Sequence, residues 1–264
     1  MKFYRLLPVI FLLFLQSCQN NHQKAGESKD TPPPFTLRNK TAKLNEAATY
    51  NTQLGLAYLK QGDRVRAKHK LMLALKQAPN SPLVNASLAY FMEKSGDLDS
   101  AKTYYKKAMA LAPGAGAEYN NYGTFLCRQG FYKEADGYFL KAIKDIKYEH
   151  TAAAYENAGL CALKVPNQEQ ASFYFNKALE QDPSRAQSLY ELVNIELKQE
   201  HFNKALSYLQ KYPNLSMHEK TFLTMAVDMA NRTGNPKLAE EYQKKLQSFS
   251  DQTGEKDEYN NHSG

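Results

Sequence analysis

A pair of small residues, twelve apart, returns along this chain at a nearly fixed interval: Gly55 and Ala67, Ala89 and Ala101, Gly123 and Ala135, Gly159 and Ala171. Gly inside a helix costs roughly 1 kcal/mol relative to Ala, so it persists where another helix must come close. Larger residues keep step around each pair. Leu54, Tyr58, Leu71, Ala74 and Pro79 align with Leu88, Met92, Tyr105, Ala108 and Pro113. Tyr122, Leu126, Phe139 and Ala142 follow, then Ala158, Ala162, Phe175, Ala178 and Pro183, with looser copies around Ala205 and Ala239.

Counting each unit from seven residues before its Gly or equivalent, the units start at 48, 82, 116, 152, 186 and 220, at intervals of 34, 34, 36, 34 and 34. A 34-residue period with this spacing is the tetratricopeptide signature, two antiparallel helices per unit. The expected fold is therefore all-α, a superhelical solenoid of six helix-turn-helix units over residues 45–250. The small residue of each first helix is expected to face the small residue of the second. The turns KQGD (60–63), KSGD (94–97) and RQGF (128–131) offer a Gly that ends the first helix in the left-handed conformation. Pro79, Pro113 and Pro183 stop the second. One such unit cannot bury its face alone, so stability comes from stacking. The longer interval places two extra residues within KDIKYEHTA (144–152), and Val165-Pro166-Asn167 replaces the Gly turn in unit four.

The chain opens MKFYRLLPVIFLLFLQSC, two cations and then an apolar run from Leu6 to Leu15, too short to span a bilayer. Residues 1–17 read as a signal peptide. Leu15-Gln16-Ser17-Cys18 resembles the bacterial lipobox, which implies acylation of Cys18 and cleavage just before it. Several acyl chains at one end give stable anchoring where a single chain does not. Gln19 stands where an Asp would direct retention in the inner membrane, so the resemblance implies an outer-membrane lipoprotein facing the periplasm. Residues 18–44 are polar and carry Pro32, Pro33 and Pro34, the composition of a flexible tether, and 251–264 reads as a disordered tail.

Chemistry is sparse. The six His show no i, i+4 pair, no phosphate-binding or nucleophile motif appears, and neither metal, cofactor, small-molecule substrate nor enzymatic activity is expected. The formal charge of +7 comes without a long basic run, which argues against a nucleic-acid partner. Cys127 and Cys161 occupy positions 12 and 10 of successive first helices, on nearly opposite sides at about 100° per residue, so one can face the other. They invite a disulfide in an oxidising compartment; two buried thiols is the alternative.

Positions 2, 5, 9, 12 and 13 of the first helices are expected to line the concave face. On that frame the candidate partner groove is Leu56, Leu59, Tyr90, Asn120, Thr124, Leu160, Leu163, Tyr190, Asn194 and Leu197. An amphipathic helix or an extended segment would fit such a groove. Position 13 is Lys or Arg in all six units (Lys60, Lys94, Arg128, Lys164, Lys198, Arg232). These cations read either as a ladder for an acidic partner or, preferably, as charges that offset the helix macrodipole.

NNYGTFLCRQGFYKEADGYFLKAI (120–143) and YENAGLCALKVPNQEQASFYFNKAL (155–179) go beyond what a generic repeat requires. With the lipobox and the polar tether, the chain resembles the type IV pilus biogenesis/stability lipoproteins, the PilF/PilW family. That resemblance implies a pilotin. Such a protein binds the secretin subunit of the pilus system, and its lipid carries the secretin to the outer membrane, where the subunits multimerise. The alternative is a lipid-anchored periplasmic scaffold for peptidoglycan enzymes.

Overall fold

The computed structural model describes the backbone of residues 35–260 and the side chains of 42–248; Cys18, and with it the lipidation site, lies outside them. The chain divides into two units, 1–40 and 41–264, and the second carries the repeats. Thirteen helices and no strand occur among the described residues. In chain order they are α1 (Phe35–Lys60), α2 (Arg64–Gln77), α3 (Pro82–Lys94), α4 (Leu98–Leu111), α5 (Gly116–Arg128), α6 (Tyr132–Lys144) and α7 (Thr151–Ala162). There follow α8 (Gln168–Gln181), α9 (Ala186–Lys198), α10 (Phe202–Lys211), α11 (Pro213–Ser216), α12 (Lys220–Arg232) and α13 (Pro236–Asn260).

Four of the six turns between paired helices share one chemistry. Gly62, Gly96, Gly130 and Gly234 stand at positive φ, and the N–H of the next residue reaches five residues back, as in Asp63 to Tyr58 and Phe131 to Leu126. Asp63 and Asp97 then cap the following helix, their carboxylates accepting the N–H groups of Arg66 and Ser100. Unit five makes the same turn with Glu200 at φ 58°. Unit four departs from it: Asn167 caps α8 after the Val165-Pro166 corner.

The paired helices approach through their small residues. A Cβ added at Gly55 would lie 2.7 Å from Leu71 Cγ and 3.3 Å from the Ala67 carbonyl oxygen. At Gly123 it would meet the Phe139 ring at 3.1 Å and the Ala135 carbonyl at 3.2 Å, and at Gly159 the Phe175 ring at 2.7 Å. Ala67, Ala89, Ala101, Ala135 and Ala171 are fully buried. The main core runs from Ala89 to Tyr242, while unit one packs through two smaller clusters around Ala48–Ala74–Val84 and Ala67–Leu71–Leu88.

Three features differ from the sequence reading and a fourth, the placing of the extra residues, agrees with it. Helix α1 begins at Phe35, so residues 35–44 of the expected tether are helical; beyond Pro34 no Gly or Pro interrupts the run to Leu54. Helix α13 continues into the expected disordered tail as far as Asn260, with Gly254 inside it. The second helix of unit five ends early at Lys211, because Pro213 cannot continue it, and the one-turn helix α11 fills the gap. The extra residues of the long interval form the loop 145–150 between α6 and α7, where the other units use 78–81, 112–115 and 182–185.

Candidate functional site

Helices α1, α3, α5 and α7 are the first helices of units one to four, and successive ones present the same face. Between them lies a depression of about 360 Å³ whose walls include Leu56 from α1, Leu83 and Tyr90 from α3, Asn121 and Thr124 from α5, and Asn157 from α7. Leu83 and Asn121 are exposed and Leu56 and Tyr90 half-buried. The recess therefore offers an apolar wall at one end and carboxamides at the other. Amides of this kind pair with the N–H and C=O groups of an extended chain, and the apolar wall takes its side chains.

Four of the ten expected groove residues meet here: Leu56, Tyr90, Asn120 and Thr124. Two of those are already engaged. The Asn120 carboxamide oxygen accepts from Asn157 Nδ2 at 3.0 Å, tying α5 to α7, and the Thr124 hydroxyl donates to the Asn120 carbonyl at 2.7 Å. Leu59 instead packs on the Ala67–Leu71–Leu88 cluster, and Leu160, Leu163 and Leu197 pack against the main core. These four serve the stacking of units. Tyr190 is 38% exposed and Asn194 half-buried on α9, outside the depression. The sequence reading missed Leu83, at position 2, and the carboxamides Asn121 and Asn157, both at position 6. Position 6 lies one helical step from 5 and nearly a turn from 9, the signal that would have found them.

Position 13 divides by unit. Arg128 grips the Glu93 carboxylate of the preceding unit with two N–H groups, the Nη2 contact measuring 2.7 Å, and Glu93 is almost fully buried. The Tyr105 hydroxyl donates to the same carboxylate at 3.1 Å. Burial and then the Glu93 charge push that phenol far above its usual range, so it serves as a neutral donor. Burial works against the Arg128 charge, yet the Glu93 pair outweighs it and raises the guanidinium further. Arg232 pairs with Asp228 one turn back, and Lys94 sits over the Tyr90 ring at 5.4 Å. Arg128 thus joins two units, a role beyond offsetting a macrodipole.

Cys127 of α5 and Cys161 of α7 form a disulfide, their Cα atoms 5.8 Å apart across a sequence separation of 34. Among the described residues no cluster of His, Cys, Asp and Glu could hold a metal ion, and no helix is long and apolar enough to cross a membrane.

Comparison with known proteins agrees with the repeat fold. Two tetratricopeptide-repeat models match residues 83–114 and 115–184. The chain is 32% identical over 164 residues to the type IV pilus assembly protein PilF of Pseudomonas aeruginosa, a match covering 62% of this chain and 65% of the relative's length. It is also 32% identical over 146 residues to an uncharacterized protein of Haemophilus influenzae, covering 55% of this chain and 82% of that one. The solved structure of Pseudomonas aeruginosa PilF superposes with a TM-score of 0.63 at 27% identity, over 80% of this chain and 99% of that one. The structure of PilW, described as a widely conserved type IV pilus biogenesis factor, gives 0.61 at 27% identity, over 77% and 94%.

Proposed function

The chain belongs to the tetratricopeptide-repeat family of PilF and PilW, and from that premise we propose that it is a type IV pilus biogenesis factor that works by holding a partner chain. In this reading the protein is an outer-membrane lipoprotein, anchored through Cys18 and facing the periplasm. It binds the pilus secretin subunit and promotes its outer-membrane localisation and multimerisation. The observation that carries the reading is the recess across the first helices of the first four units. Leu56, Leu83 and Tyr90 take apolar side chains, and the Asn121 carboxamide takes backbone. It lies on first helices that the stacking of units already holds in place, so a captured segment orders little besides itself.

The working step is physical: a secretin segment is captured while the lipid confines the complex to one membrane. Cys18→Ala removes the anchor and leaves the repeats intact. Fractionation should then find both this protein and the secretin multimers away from the outer membrane. Multimers reaching that membrane at normal levels would end the piloting role. Photocrosslinking from Leu83 and Tyr90 should capture the secretin; peptidoglycan enzymes in its place would assign the chain to cell-wall scaffolding.

A further inference from the structure

We infer that the exposed face of helix α2 is a contact surface for anionic phospholipid. The helix reads RVRAKHKLMLALKQ and carries Arg64, Arg66, Lys68, Lys70 and Lys76 with no acidic residue, a formal charge of +5. Only Arg66 is offset, by Asp63 just before the helix; no other α2 cation is in an ion pair among the described residues. The other second helices all differ. Helix α4 carries Asp99, α6 carries Glu134 and Asp136, α8 carries Glu169 and Glu180, and on α10 Lys204 pairs with the buried Glu196.

The arrangement is two-sided. Ala67, Leu71 and Ala74 are buried toward the core, while Val65, Lys68, His69, Met72 and Lys76 follow helical spacing along one exposed stripe. Within that stripe Val65 is 82% exposed and Met72 43%. This pairing of apolar and basic side chains selects the partner. A soluble polyanion offers nothing to an exposed Val. A lipid interface takes Val and Met below the headgroups and leaves ammonium and guanidinium groups at phosphate level, the long stems lying along the boundary. Unit one is also the repeat nearest in sequence to Cys18. The inference needs neither acylation nor a secretin, and it stands or falls apart from the function proposed above.

The test uses residues 18–264 with Cys18→Ser, which carries no acyl group, sedimented with vesicles of phosphatidylcholine alone or mixed with phosphatidylglycerol. Binding is expected to the mixed vesicles only and to weaken with salt. Each basic residue near such a surface contributes roughly fivefold, so Arg64→Gln, Lys68→Gln and Lys76→Gln together should cost about 100-fold. Val65→Ser with Met72→Ser should lose several-fold on vesicles while leaving the binding of polyglutamate unchanged. All five side chains face solvent, and an unaltered melting temperature checks that the variants fold. Equal binding to both vesicle types, or none to the mixed ones, overturns the inference. Polyglutamate held as tightly as vesicles, with the Val65/Met72 variant indistinguishable, would assign the face to an acidic protein and overturn it as well.

Discussion

Units two and three join in register, and units three and four join two residues out of it. At the first junction the loop 112–115 is short, and the ends of α3 and α5 are linked by the Glu93–Arg128 pair, 35 residues apart in sequence. At the second the longer loop 145–150 turns Ile146 outward, 98% exposed, and the ends of α5 and α7 are linked by the Cys127–Cys161 disulfide. Further anchors hold the longer loop. Asp145 accepts the N–H groups of Gly116 and Lys147 at 2.8 and 3.0 Å, and the Tyr148 ring lies where a Gly116 side chain would be. Equivalent places on successive helices carry an ion pair where spacing is regular and a covalent bond where it is not. The regular junction is held by a reversible ion pair besides its stacking, and the break in register by a covalent crosslink.

Removing those links should separate the two junctions. Cys127→Ser with Cys161→Ser opens a loop of 34 residues, for which chain entropy gives about 3–4 kcal/mol. Glu93→Gln should cost about 1 kcal/mol, because Arg128 keeps 37% of its side chain exposed and solvent screens the pair. Urea denaturation followed by circular dichroism compares them. Equal losses would mean that the two junctions do not differ in the way their links suggest.

The second contrast lies within the units. Unit two closes its helix pair over Ala89, unit four over Gly159. Gly159→Ala gains helix propensity of roughly 1 kcal/mol but drives a methyl to within 2.7–2.9 Å of the fully buried Phe175 ring. Overpacking of that kind costs about 1–3 kcal/mol. A net loss of up to about 2 kcal/mol is expected, read as a lower melting temperature, and Phe175→Leu in the same chain should recover part of it. A melting temperature that rises would show that the Phe175 ring is free to move aside.

What could be read from the sequence follows from how far each contact reaches. Gly55, Gly123 and Gly159 announce the repeat because each faces a residue within its own unit, so the period carries the contact. The groove was legible only as a face. Leu56 and Tyr90 line it, but whether Leu59 turns into the recess or into the Leu71 cluster depends on the neighbouring unit, which a single-unit pattern does not encode. Asn120 lay on the right face, yet its bond to Asn157 arises from a residue 37 positions away. Charge averaged over the whole chain hid the acid-free helix α2, whose basic residues are interleaved with apolar ones. Nothing periodic marks α11, a local repair of an early helix stop.

The smallest effect tests whether the turns are as alike as the helices. Gly62, Gly96, Gly130 and Gly234 take positive φ freely, whereas Glu200 holds φ 58° at the same place in unit five. Its hydrogen bonds are those of the glycine turns: the Glu200 N–H reaches the Leu197 carbonyl at 3.0 Å and the His201 N–H reaches Glu196 at 2.9 Å. A residue with a Cβ pays roughly 1–2 kcal/mol for the left-handed conformation, and Gly gives back part of that through its freer unfolded chain. Glu200→Gly should therefore stabilise the array by about 0.5–1 kcal/mol, and Gly96→Glu should destabilise it by a similar amount in unit two. Thermal melts of both variants check the pair. Should Glu200→Gly destabilise instead, the Glu side chain must supply something at that turn that the backbone geometry does not reveal, and the turns of units two and five would be alike in shape only.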